Sequence, residues 1–425
     1  MTSTAPTPPN ADRPRTNRAL LVDRTFGPWF WGLLVSNSGN WLFNVTAAVV
    51  VFQLTGSALL VGLVSVGQFA PLALLSPFAG AVSDRVDRRR LLLGSQAWSA
   101  AAATALAVPA LAFGIDALPG AWPVIGAAFG IGLGQAIAAP TLNALVPALV
   151  DDIDLENAVA LTSLTFNTGR AFGPAVSGIL LATLGAETAF ALNAVSFVVL
   201  IAALLVIREQ RARAPRDADG SVRAGLRFVR EHRAVLLLLV GVGTAGFAAD
   251  PVITLSPALA GTLGGGDTLV AVLVSAFGIA AAPAALASGP LQRRFGAEHV
   301  AAAGLMAMAA GLSIAAAAPG PWIAVGGFAV TGVGSVLAVT GFTTALQRQL
   351  PDGLRGRVMA LWSVAFLGNR PIAAVLDGAA ADRFGPRIAM GLAIGVALLG
   401  VVLTRRLRRG GPGGDRTSSA TASSS

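Results

Sequence analysis

Gly80-Ala-Val-Ser-Asp84-Arg85-Val-Asp87-Arg88-Arg89 closes one long apolar run, 57–81, and leads straight into another, 91–113. About 20 apolar helical residues span a hydrocarbon core of about 30 Å. Both runs are long enough to cross, so the charged stretch between them marks a turn at a membrane surface. The same test along the chain yields twelve runs, at approximately 28–54, 57–81, 91–113, 122–146, 158–183, 187–207, 234–259, 268–290, 299–317, 322–346, 357–381 and 386–404. Internal prolines such as Pro71, Pro77 and Pro174 are tolerated there, because neighbouring helices satisfy the freed backbone groups. The expected fold class is an all-α integral membrane protein with twelve transmembrane helices.

Composition agrees. Of 425 residues, 54% are hydrophobic and only 12% charged, and mean hydropathy is +0.71. A soluble domain carries about 25% charged residues, so an ordinary cytosolic enzyme is excluded. The net charge of +9 comes from Arg alone, mostly between apolar runs, which fits membrane topology rather than a nucleic-acid partner. There is no Cys, and His232 and His299 stand far apart. Disulfides and thiolate sites are excluded, and no metal or other cofactor is expected. The N-terminus lacks the apolar core of a signal peptide.

Arg placement sets the orientation. With both termini in the cytoplasm, 26 of the 30 Arg fall in inner segments, while the outer loops hold only Arg383 and Arg387. The positive-inside rule then predicts cytoplasmic termini. The longest internal connection, Arg208 to Arg233, divides the runs six and six. Its second half, 224–233, has apolar residues at helical spacing among bases, as in a helix lying on the inner membrane surface. A shift of 200 residues aligns Trp122 with Trp322, Gly132 with Gly332, Arg170 with Arg370 and Gly185 with Gly385. Such a repeat is what two bundles rocking about a central site require. The expected organisation is a disordered N-terminus (1–25), a six-helix bundle (26–207), a cytoplasmic linker (208–233), a second bundle (234–405) and a disordered tail (406–425).

The 80–89 stretch resembles the signature loop of the major facilitator superfamily, Gly-x-x-x-Asp-Arg-x-Gly-Arg-Arg, with Asp87 in place of the second Gly. Gly169-Arg170-Ala-Phe-Gly173-Pro174-Ala-Val-Ser-Gly178 is similar to the span 5 motif of proton-coupled drug exporters in that superfamily, its last Gly displaced by one. With 146–158 and 350–361, the pattern resembles the macrolide-efflux and enterobactin-exporter branch over about residues 25–405. The resemblance implies two pseudo-symmetric six-helix bundles in a bacterial inner (plasma) membrane, functional as a monomer. It implies that Asp84 latches onto the start of span 11 when the inner gate closes, while Arg85, Arg88 and Arg89 contact helix ends or lipid. It also implies that the Gly169, Gly173, Pro174 and Gly178 motif seals against proton leak, although generic helix packing explains these residues equally well. Gly378-Ala-Ala-Ala-Asp382-Arg383-Phe-Gly385-Pro-Arg387 repeats the loop pattern outside the membrane, where it reads as a plain surface loop.

An ionisable group at bilayer depth costs about 3 kcal/mol or more unless paired or wet. Four stand there: Arg170, Asp250, Arg370 and Asp377. They are the candidates for proton coupling, and the alternative for Asp377 is a helix end in contact with water. Asn37, Asn40 and Asn44 share one helical stripe beside Trp41. With Gln68 and Gln135 they are candidates to line a substrate cavity.

The expected function is secondary active export of amphipathic small molecules of drug, macrolide or siderophore type, with protons as the coupling ion and the lipid bilayer as surroundings. An importer or lipid flippase uses the same fold. A membrane enzyme would need convergent acid, His or Ser groups that the chain does not offer, and a sensor usually carries a soluble output domain.

Overall fold

The computed structural model describes residues 15–83, 86–207, 222–351 and 354–409. Every regular element among them is helical. The first half holds α1 (Asn17–Leu21), α2 (Phe26–Thr55), α3 (Ala58–Ser83), α4 (Arg88–Phe113), α5 (Trp122–Leu149) and α6 (Leu155–Val206). The second holds α7 (Val222–Glu231), α8 (Arg233–Ala248), α9 (Pro251–Thr254), α10 (Ser256–Thr262), α11 (Gly266–Phe295), α12 (Ala297–Ala317), α13 (Pro321–Gln349), α14 (Arg355–Leu367), α15 (Arg370–Phe384) and α16 (Pro386–Arg409).

Among the described residues, ten helical stretches are long and apolar enough to cross a membrane. The sequence led us to expect twelve. The difference has two sources. The 30-residue α2 is not among the ten, its apolar run being interrupted by Asn37, Asn40 and Asn44. The 52-residue α6 contributes one stretch, although it leaves helical geometry at Gly185 (φ 79°, ψ 169°).

Gly385, the repeat partner of Gly185, adopts nearly the same conformation between α15 and α16 (φ 85°, ψ 158°). Both need positive φ, which only Gly adopts without strain. Other aligned pairs also share an environment. A Cβ on Gly132 of α5 would strike the Gln68 carbonyl of α3, and one on Gly332 of α13 would strike the Phe277 carbonyl of α11. Trp122 and Trp322 both stand exposed at helix starts, where amphipathic rings suit a membrane interface. The repeat is therefore structural.

Two pseudo-symmetric crossings join the halves: α6 packs on α11, and α3 packs on α15. At the first, a Cβ on Gly178 would fall on the Ala271 carbonyl, and the Ser275 hydroxyl donates to the Ala175 carbonyl at 3.2 Å. At the second, a Cβ on Gly378 would fall on the Ala58 carbonyl and one on Gly62 on the Ala374 carbonyl. The apolar cores behave differently at the two ends. Near the α2–α3, α4–α5, α10–α11, α12–α13 and α15–α16 connections, one continuous core runs through both halves and includes Val50, Phe190, Leu259, Phe277 and Phe328. Towards the opposite end the cores are separate. One holds Trp29, Leu145 and Leu204 of the first half, the other Leu238, Leu305 and Phe342 of the second. Among the described residues, the buried core is thus continuous across the halves at one end and divided at the end that carries the chain termini.

Residues 15–25, expected to be disordered, are held. The Arg15 side chain donates to Asp154 (2.6 Å) and Asp23 (2.9 Å). Thr16 caps α1, and Leu20 is fully buried. Burial pushes the Asp23 carboxyl up, but the N–H groups of Phe26 and Thr25 and the Arg15 guanidinium outweigh it and hold the group below the usual carboxylate value. A lone Asp in a charged loop gave no sign of this tether. The expected tail from 406 is helical to Arg409, and residues 410–425 lie outside the described ones.

Candidate functional site

Two helices break where a charged residue precedes proline. α8 ends at Ala248, Asp250 precedes Pro251, and the chain continues as α9 and α10. α14 ends at Leu367, Arg370 precedes Pro371, and α15 follows. Proline lacks the N–H that would continue the ladder, so each break places polar groups at the middle of an apolar run. Discontinuous helices of this kind mark binding sites in membrane carriers.

Between the halves lies a cavity of about 160 Å³. All six residues proposed from the sequence line it: Asn37, Asn40, Trp41 and Asn44 of α2, Gln68 of α3 and Gln135 of α5. The sequence reading missed Phe69, Phe277, Ser335, Phe366 and the edge formed by Arg370. Asn40 donates to the Ser36 carbonyl (3.1 Å), and Asn44 to that of Asn40 (2.9 Å). The amide N–H groups are thus used within the helix. Asn40 Oδ1 and Gln68 Oε1 are buried without a partner among the described residues. A buried acceptor without a donor is costly, and here it offers a hydrogen-bonding position to a bound molecule or to water.

Arg370 belongs to the second half yet faces rings of the first. Its guanidinium carbon lies 4.7 Å from the Phe69 centroid and 5.9 Å from that of Trp41. Trp41 is seated by α6, since a Cβ on Gly173 would overlap its indole at 2.6–2.8 Å. A Cβ on Gly169 would touch Asn37 and Trp41 at 3.4–3.8 Å. Gly173 therefore makes room for a cavity wall, whereas Gly178 serves the α6–α11 crossing. The side chains of Arg170 and Pro174 lie outside the described residues.

Asp250 and Asp377 are both fully buried. Asp250 Oδ2 accepts from the Thr254 hydroxyl at 2.6 Å, and Oδ1 has no partner among the described residues. Neither carboxyl oxygen of Asp377 has one among the described residues. Asp377 is thus a buried group rather than a water-facing helix end. Asp250 lies within electrostatic reach of both Arg370 and Asp377, although no ion pair joins them among the described residues. Asn369 ties the α14–α15 break to α8, donating to the Gly243 carbonyl at 2.5 Å.

In the 80–89 loop, Asp84 and Arg85 lie outside the described residues, as do the side-chain surroundings of Gly80. Asp87 explains its own departure from the family pattern: it caps α4, accepting from the Arg90 N–H at 2.8 Å. Arg88 opens α4. Arg89 holds the end of α6, donating to the carbonyls of Leu204 (3.1 Å) and Leu205 (2.8 Å), where a cation suits the helix dipole.

Residues 17–421 match the profile of the transmembrane secretion effectors. Macrolide efflux protein A of Streptococcus pyogenes is 27% identical over 373 residues, covering 82% of this chain and 89% of that one. Enterobactin exporter EntS of Shigella boydii is 28% identical over 407 residues, covering 90% and 92%. The fold is shared with a bacterial homologue of the human lysosomal transporter Spinster in an inward-facing and unoccupied conformation, at a TM-score of 0.72 and 12% identity, covering 90% of this chain and 96% of that one.

Proposed function

Because the chain belongs to the transmembrane secretion effectors of the major facilitator superfamily, we propose that this multi-pass membrane transporter exports amphipathic small molecules by proton antiport across a bacterial plasma membrane. The observation that carries the reading is the cavity itself. It combines aromatic and aliphatic walls with unpaired amide acceptors and a cation, and it adjoins two buried carboxyls, Asp250 and Asp377, three of whose four oxygens have no hydrogen-bond partner among the described residues. Apolar walls with a few convergent polar groups suit an amphipathic ligand. A carboxylate without a partner is expensive to bury, and a bound proton removes that charge, so Asp250 and Asp377 are the groups through which protons would be exchanged.

With the termini in the cytoplasm, as Arg placement argues, the end with the divided core faces inward, which supports an inward-facing arrangement of the halves. The bundles are then 26–207 and 234–405, with α2 and both arms of α6 as crossings. One chain encloses the whole cavity, so a monomer suffices.

The test is accumulation of dyes, macrolides and siderophores in cells with and without the protein, each with and without a protonophore. Lower accumulation that the protonophore reverses is expected. Raised accumulation would make the protein an importer. At the site, Arg370→Ala is expected to raise KM about tenfold, since a hydrogen bond from a charged donor at the cavity edge to a bound substrate contributes about 1.5 kcal/mol or more. Steady-state transport of the substrate so identified measures it.

A further inference from the structure

The 378–387 stretch, which the sequence presents as a surface loop, does not stand alone. Asp382, at the end of α15, lies across the N-terminus of α3 in the other half. Its Oδ1 accepts from the Ala58 N–H at 2.6 Å. Its Oδ2 accepts from the Ser57 hydroxyl at 2.6 Å and from the Leu59 N–H at 3.2 Å. Ser57 in turn accepts from the Leu60 N–H at 3.2 Å. The opening N–H groups of a helix have no partner within it, and here those of Ala58 and Leu59 are answered by a carboxylate more than 320 residues away in sequence. The helix dipole adds to the attraction.

We infer that Asp382 is a gating residue: a carboxylate latch that holds the two halves together at the end remote from the termini. The inference rests on the transporter reading for its functional meaning, but its geometry is independent of substrate. Three features favour a latch over an incidental contact. It joins the halves at the α3–α15 crossing, where Gly62 and Gly378 bring the backbones together. It sits at the rim, so water can take over the N–H groups when the halves part, which makes the contact reversible. It is also one-sided: the repeat partner of Asp382 is Ala182, so the α6–α11 crossing has no equivalent. There α11 carries its own acid, Asp267, which accepts from Gln53 of α2.

The experiment uses the absence of native Cys. Spin labels are placed at 117 and 268 on the end with the continuous core, and at 153 and 347 on the end with the divided core, and distances are measured in nanodiscs. Asp382→Ala is expected to move the population about tenfold towards wider 117–268 and narrower 153–347 separations, the effect of losing a charged cap. Asp382→Asn keeps the shape and one acceptor and should shift it less in the same direction. Unchanged distances in a folded Asp382→Ala protein would overturn the latch, whether or not transport is altered. Shifted distances with no transport of any tested substrate would keep the latch and count against the exporter reading instead.

Discussion

Replacing Asp250 by Asn is expected to abolish uphill export while leaving downhill exchange within about threefold of the original. The substituted amide keeps an acceptor for the Thr254 hydroxyl, which now bonds Asp250 Oδ2 at 2.6 Å, so local packing survives. What disappears is a group able to gain and lose a proton beside Arg370 and Asp377. One proton moving through one pH unit supplies about 1.4 kcal/mol, or a tenfold substrate gradient. Proteoliposomes with a one-unit gradient should therefore sustain a gradient approaching tenfold per proton with the natural residue, and none with Asn. Gradient-driven accumulation by the Asn variant would make Asp250 a structural residue and transfer the role to Asp377.

The second large effect concerns the backbone crossings. Gly378→Val places a branched side chain where even a Cβ would overlap the Ala58 carbonyl and the Leu59 backbone. The obstructing atoms belong to backbone, which cannot rotate away, so the cost exceeds the about 1–3 kcal/mol typical of overpacking. The end with the continuous core should then fail to close, and transport should fall at least 100-fold with membrane insertion intact. The α6–α11 crossing offers the control, because Gly178→Val meets the Ala271 carbonyl in the same way. Paired measurement of transport and labelling of a single Cys at 268 checks both. Full transport by a folded Gly378→Val protein would contradict the close approach.

Much of the cavity was legible because asparagine and glutamine are rare in apolar runs. Asn37, Asn40 and Asn44 fall on one face by their spacing alone, and their grouping with Trp41, Gln68 and Gln135 needed only the idea that polar faces turn inward. Phe69, Phe277 and Phe366 were not legible, because the chain has 20 Phe and an aromatic in an apolar span carries no sign of which way it faces. Of the two helix breaks, one was legible, since Pro251 directly after Asp250 loosens a helix within the span; the same signal at Arg370-Pro371 went unread. Asp382 illustrates the opposite limit. Its motif was visible, but its partner lies at Ser57, 325 residues away. Topology could say that the loop faced one side of the membrane, but not that another helix would begin against it. One of the two spans by which the count falls short of twelve has a related cause: the asparagines that build the cavity also dilute the apolar run by which α2 would be counted.

The apolar core that is continuous at one end and divided at the other has a thermodynamic consequence. If the halves rock about the cavity, the aliphatic surface uncovered where they part is matched by surface covered where they meet. Burial of such surface sets the heat-capacity change of a transition. The interchange of the two orientations should then carry almost none, and its van't Hoff plot should be nearly straight. Unfolding uncovers both ends together and should curve. A transporter built this way keeps its balance between orientations as temperature changes, and leaves the setting of that balance to a few polar contacts at the rims.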